Sequence, residues 1–89
     1  MVHKKILIKG SVQGVGFRYA TRKVAGQYNI NGFVRNLPDG NVYVEAEGTE
    51  AQVEEFIRWC HIGPPHARIV SVFVEEGPLV HFSNFTVTF

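Results

Sequence analysis

The residues Gly10-Ser11-Val12-Gln13-Gly14-Val15-Gly16-Phe17-Arg18 combine three glycines within seven positions with an arginine where the pattern turns helical. Glycines let successive backbone N–H groups turn inward to form a concave, positively polarised nest. The start of the following helix adds a partial positive charge of its own. A phosphate group is the natural occupant of such a loop. Arg18, with Arg22 and Lys23 one turn later, places cations at a helix N-terminus, where they oppose the macrodipole by a few tenths of a kcal/mol up to about 1. An anion among them would explain that placement. The bland alternative is that Arg18 and Arg22 point to solvent, where screening makes the cost small. On the residues alone both readings stand.

The loop differs from two better-known phosphate binders. No Gly-Lys-Ser/Thr follows it to hold β- and γ-phosphates and magnesium. The surrounding strands read as antiparallel, which excludes the parallel βαβ unit of a dinucleotide fold. A small free phosphoryl group suits it better.

The elements around the loop follow from periodicity. Lys4 to Lys9 alternates Ile6/Ile8 against Lys5/Leu7/Lys9, a short strand. From Phe17 a helical stripe takes in Phe17, Ala20, Thr21, Val24 and Tyr28, and Asn29 stands at the left-handed C-terminal cap. Ile30–Leu37 and Asn41–Gly48 read as strands joined by a tight Pro38-Asp39-Gly40 turn. In the second of these Val42, Val44 and Ala46 are buried, and Tyr43, Glu45 and Glu47 are solvated. Thr49-Glu50-Ala51-Gln52 is a capping box. It opens a helix with Val53, Phe56, Ile57 and Cys60 on one face, stopped by Gly63-Pro64-Pro65. Arg68–Glu76 is a strand with Val70, Val72 and Val74 on one side. Phe85, Val87 and Phe89 alternate with Thr86 and Thr88 in a last short strand, after a bend near Ser83-Asn84. The order βαββαβ plus a terminal strand predicts an α+β, ferredoxin-like sandwich. Two helices would lie on one face of a mainly antiparallel sheet of four to five strands.

Composition narrows the function classes. The chain has 89 residues, the size of one domain spanning 1–89. Nine basic and eight acidic side chains give a net charge of +1, no electrostatic footprint for nucleic acid or a membrane. No run approaches the roughly 18 apolar residues of a membrane span, and no apolar leader opens the chain. A cytoplasmic location is the default expectation. The one cysteine, Cys60, rules out an internal disulfide and falls on an apolar stripe, as a buried inert thiol does. His3, His61, His66 and His81 show no metal-ligand spacing with Cys60 or a carboxylate, so surface or rim positions are expected for them. Trp59 flanks its helix's apolar stripe and reads as packing.

Two long motifs in register carry a family likeness. Gly10–Arg18 resembles the first signature of the acylphosphatase family, and Gly32-Phe33-Val34-Arg35-Asn36-Leu37-Pro38-Asp39-Gly40-Asn41-Val42 resembles its second. Gly63-Pro64-Pro65-His66-Ala67-Arg68 is similar to the family's link between second helix and fourth strand. The likeness covers essentially the whole chain. Departures are few: Asn29 stands where relatives usually have Gly, Ser11 where many are basic, and Phe33 where Trp or Tyr is common.

The resemblance implies a hydrolase that splits the carboxyl–phosphate bond of acyl phosphates without a metal or other cofactor. It implies that the backbone N–H groups of Gln13, Gly14, Val15, Gly16, Phe17 and Arg18 cradle the phosphoryl oxygens. Arg18 would bind them through its planar fork, and Asn36 would orient the attacking water. On its own, Asn36 reads as an ordinary pre-turn residue bonding local backbone. The expected partner is a small acyl phosphate, with no nucleic acid and no membrane, and the expected species is a monomer.

Competing readings fit less well. An RNA-recognition domain shares the element order but needs aromatics on its two central strands. Here the first strand has none, and the third sets Tyr43 beside Glu45 and Glu47. A regulatory ligand-binding domain of the same fold would leave Arg18 and Asn36 unexplained. A module of a hydrogenase-maturation carbamoyltransferase would be followed by zinc-binding Cys pairs, and none follows Phe89, so an independent enzyme is expected.

Overall fold

A computed structural model describes residues 1–89. The chain runs β1 (Val2–Ser11), α1 (Phe17–Gln27), β2 (Asn31–Asn36), β3 (Val42–Gly48), α2 (Glu50–Cys60), β4 (Arg68–Gly77) and β5 (Phe85–Thr88). The five strands form one sheet in the order β4-β1-β3-β2-β5. β1 pairs antiparallel with β3 and β4, and β2 antiparallel with β3. β5 joins the outer edge of β2 in parallel, Val34 opposite Val87. This is the expected ferredoxin-like α+β sandwich, with the terminal strand as a fifth member.

Period-two alternation puts Ile6 and Ile8 of β1, Val34 of β2 and Val42, Val44 and Ala46 of β3 on the helix face, all buried. Against them α2 lays Val53, Phe56 and Cys60. Its capping box forms as the sequence predicts: the Gln52 N–H donates to Thr49 Oγ1, and the Thr49 N–H to Gln52 Oε1, each at 3.2 Å. Burial pushes the Cys60 thiol far above its ordinary range, so it is the inert thiol expected. Helix α1 buries Phe17, Thr21 and Ala25, a strict i, i+4, i+8 row, so Ala25 belongs to the stripe and Ala20 stands at its half-buried margin. Thr21 tolerates full burial because its hydroxyl donates to Phe17 O at 2.7 Å. Asn29, at φ 56°, makes the left-handed turn that ends the helix.

Three expectations are corrected. Val70 does not share a face with Val72 and Val74. Lys9 pairs with Ser71 but Gly10 with Ile69, so Val70 is the extra residue of a β-bulge and stands 75% exposed, while Ile69 turns to the core. Gly10 (φ 143°) permits this, since a Cβ there would lie 2.0 Å from Arg68 O. His3 is not a surface residue. It is 2% exposed, its Nδ1 bonded to Pro78 O at 2.7 Å and its Nε2 to Glu45 at 2.8 Å.

Nor is Glu47 solvated. It is equally buried and accepts the consecutive N–H groups of Val80, His81 and Phe82 at 2.7, 3.1 and 2.9 Å. The strap 78–84 between β4 and β5 covers that end of β3, and Glu47 replaces lost water with three donors. Burial alone would raise its carboxyl; the three N–H groups, with His81 beside them, outweigh that and hold it below the ordinary 4.5.

A group held below its unfolded value contributes stability that is fully present above about pH 4.5 and is lost as pH falls through the folded value. Glu47→Gln is expected to destabilise the protein by roughly 2 kcal/mol at pH 7, the scale of bonds to a charged acceptor. Urea midpoints of the two proteins should converge as pH falls below that point. Parallel curves would show that the carboxylate charge is not what holds the strap.

Candidate active site

The loop leaving β1 is held at both ends by core side chains. Val12 is fully buried, and Phe17, 2% exposed, packs on Trp59 with ring centroids 5.6 Å apart. Between them Gly14 and Gly16 both sit at φ 75°, and Gly16 is the N-terminal cap of α1, with no side chain capping the helix. A Cβ at either glycine would meet nothing within 4 Å. Glycine is there for its dihedral angles, not for room.

The backbone N–H groups of Gln13, Gly14, Val15, Gly16, Phe17 and Arg18 donate to no acceptor within the protein. The Tyr19 N–H finds none either, and the next amide, of Ala20, bonds Gly16 O at 3.0 Å. Six successive amides at a helix N-terminus, with no acidic residue in the first turn, make a donor surface that water or an anion must satisfy.

Arg18 is half-buried beside them. One guanidinium nitrogen donates to Thr88 O at 2.9 Å, and its carbon lies 4.6 Å from the Phe89 ring centroid. No carboxylate pairs with it; Glu76 pairs with Lys4, Glu55 with Arg58, and Glu45 bonds the His3 ring. Asn36 closes β2, and its side chain makes no hydrogen bond within the protein. The local bonding expected of an asparagine near the turn is done instead by Asp39, whose carboxylate accepts from the Asn41 N–H and Nδ2, each at 3.1 Å.

Gln13, Gly14, Gly16, Phe17, Arg18 and Asn36 line one cavity of about 360 Å³, which Arg22 also borders and no acidic residue enters. Val15 does not line it; its side chain packs against the core. Lys23 lies outside as well, in a neighbouring depression shared with Tyr19 and Arg22. A wider cavity of about 600 Å³ between β2, β5 and the strap touches this one at Phe89 but has none of the loop's amides. Nowhere do three His, Cys, Asp or Glu side chains gather in a way that could hold a metal ion.

Two contributions escaped the sequence reading. The Gln13 carboxamide donates to Leu37 O at 2.8 Å and Asn41 O at 2.9 Å, tying the loop to the β2–β3 turn. Thr88 and Phe89 hold Arg18 from 70 residues away. The Gln13 side chain left a faint signal, a long double donor inside a glycine loop; Thr88 acts through its backbone carbonyl and left none.

Residues 4–87 match the family model described as Acylphosphatase. The chain belongs to the acylphosphatase family. An acylphosphatase of Archaeoglobus fulgidus is 42% identical over 89 residues, all of both chains. One of Rubrobacter xylanophilus is 51% identical over 74 residues, 83% of this chain and 67% of the relative. The crystal structure of acylphosphatase from Bacillus subtilis superposes with a TM-score of 0.97 at 32% identity, covering 100% of each chain. The enzyme is an acylphosphatase, and its substrate is a small acyl phosphate. No helix is long and apolar enough to cross a membrane.

Gly16→Ala isolates the loop's backbone conformation, because the added methyl has no clash to make. A left-handed alanine costs roughly 1–2 kcal/mol. The expected outcome is a folded protein with a lower urea midpoint and weaker inhibition of acyl phosphate hydrolysis by inorganic phosphate. Unchanged phosphate inhibition would show that the φ 75° conformation of Gly16 is not needed to aim the amides.

Proposed function

We propose that the six free amides of residues 13–18 cradle the phosphoryl oxygens of an acyl phosphate, that Arg18 clamps them, and that Asn36 orients the attacking water. The observation that carries this reading is the run of unspent N–H donors, five of whose six residues line the same cavity as Arg18 and Asn36, with no carboxylate to compete for them.

The chemistry demands little more. The leaving group is a carboxylate whose conjugate acid has a pKa of about 4, so it departs without a proton from the enzyme. That removes the need for the paired acid and base of most hydrolases. In the loose transition state the bond from phosphorus to the acyl oxygen is largely broken while the water oxygen approaches from the opposite side. Charge spreads over the three equatorial oxygens. Amides already fixed in place meet that charge at no reorganisation cost. Arg18 spends one donor on Thr88 O and keeps the rest of its five for the phosphoryl group. Asn36, free of protein partners, has both an acceptor and donors for a water. It cannot take a proton at neutral pH, so the water's proton passes to a phosphate oxygen of the substrate or to solvent. The products are a carboxylate and inorganic phosphate.

The same reading makes the enzyme a metal-free, cytoplasmic monomer of one domain, acting on a diffusible substrate. The near-neutral charge supports a catalyst without a nucleic-acid or membrane partner.

Arg18→Gln is expected to lower kcat/KM for benzoyl phosphate by roughly 10³-fold, within the range for an arginine stabilising a transferring phosphoryl group. The loss of one hydrogen bond to Thr88 should move Tm only slightly. A variant that keeps more than about a tenth of wild-type kcat/KM would remove Arg18 from the mechanism. In a separate assay, EDTA should leave the wild-type rate unchanged; inactivation would reveal a metal requirement.

A further inference from the structure

The Gln13 side chain occupies an unusual position in the hydrogen-bond network. Among residues 13–15 the only hydrogen bonds to the rest of the protein are the two donated by Gln13 Nε2, to Leu37 O and Asn41 O. Those carbonyls are already in use. The Leu37 N–H donates to Asn41 O at 2.8 Å, and the Gly40 N–H donates to Leu37 O at 3.1 Å. Each carbonyl has a second lone pair, and the carboxamide takes both. Two carbonyl acceptors at one nitrogen also define which end of the carboxamide is the NH₂ group. One planar carboxamide thus spans the residues that close the β2–β3 turn, and the first of them directly follows Asn36.

We infer that Gln13 is a positioning residue: its side chain sets the distance between the phosphate cradle and Asn36. The inference rests on the roles proposed above for the cradle and Asn36. The two halves of that site belong to different elements. The loop hangs on Val12 and Phe17, whereas Asn36 hangs on β2. Nothing in the backbone of residues 13–16 joins them, because those amides stay free for substrate. The carboxamide makes the join without spending an amide. Loss of the tie lets the loop drift relative to Asn36 while the loop itself, shaped by its glycines, still binds phosphate. In-line attack is sensitive to such drift, since a misplacement of about 1 Å can cost on the order of 10²-fold in rate.

The test compares Gln13→Met, which keeps the length and removes the donors, with Gln13→Glu, which sets carboxylate oxygens against the two carbonyls. Both retain the Gln13 backbone N–H. With benzoyl phosphate as substrate, each is expected to lower kcat by about 10- to 100-fold. For Gln13→Met, which adds no charge, the inhibition constant for inorganic phosphate should stay within about threefold of wild type. In an Asn36→Ala background the further loss from Gln13→Met should shrink to less than about threefold, because the residue through which Gln13 acts is gone. The inference is overturned if either variant keeps kcat within about twofold, if phosphate inhibition of Gln13→Met weakens in step with kcat, or if the losses from Gln13→Met and Asn36→Ala multiply in full. The Asn36→Ala single variant reports separately on the role of Asn36: wild-type kcat there refutes that role, whatever Gln13→Met does.

Discussion

A loop can offer its amide hydrogens to a ligand only while none of them is spent inside the protein, and a loop with no internal backbone bonds has nothing in its own main chain to hold it still. Residues 13–18 meet that constraint by delegating rigidity to side chains and dihedral angles. Val12 and Phe17 are sunk in the core at the two ends, Gly14 and Gly16 adopt left-handed angles that few other residues would take, and the Gln13 carboxamide ties the loop to the β2–β3 turn. On the role proposed for these amides, the core around Phe17 is part of the binding apparatus. A change in its packing would be felt as a change in where the amides point.

Arg18 poses the opposite difficulty. A cation at a helix N-terminus is opposed by the helix and, without a carboxylate partner, must be placed by weaker forces. The Thr88 carbonyl and the Phe89 ring do this, so the arginine depends on β5 being seated beside β2. β5 is reached through the strap, and the strap is anchored by the Glu47 carboxylate, the His3 ring and the Asn31 amide, which donates to Phe82 O at 3.1 Å. Buried polar groups far from the cavity thus fix the one cation in it that is tied to another element. The open face of β3, where three polar side chains at alternate positions suggest solvent, is the surface on which this support is built.

Much of this was readable from the residues themselves. The glycine spacing and the switch from period two to period 3.6 at Phe17 located the loop. The capping box at Thr49 and the turn at Pro38-Asp39-Gly40 set the neighbouring boundaries, because each is a local rule obeyed locally. What stayed hidden was nonlocal. Val70 looks like part of a simple alternation until the pairing with Gly10 adds a residue. His3 and Glu47 look exposed until a strap more than 30 residues away lies over them. Asn36 is free of local bonds because Asp39 makes them, a competition between two turn-forming residues that spacing cannot decide.

The hydrogen bond from Arg18 to Thr88 also bears on how the molecule comes together. It joins positions 70 residues apart, so the arginine cannot be set in place by any piece of the chain that folds locally. Helices and the β2–β3 hairpin can form early, within microseconds, but a parallel edge strand recruited from the far end of the chain carries the full entropy of closing that loop. The site is therefore complete only once β5 has paired with β2, and formation of the glycine loop is not by itself enough.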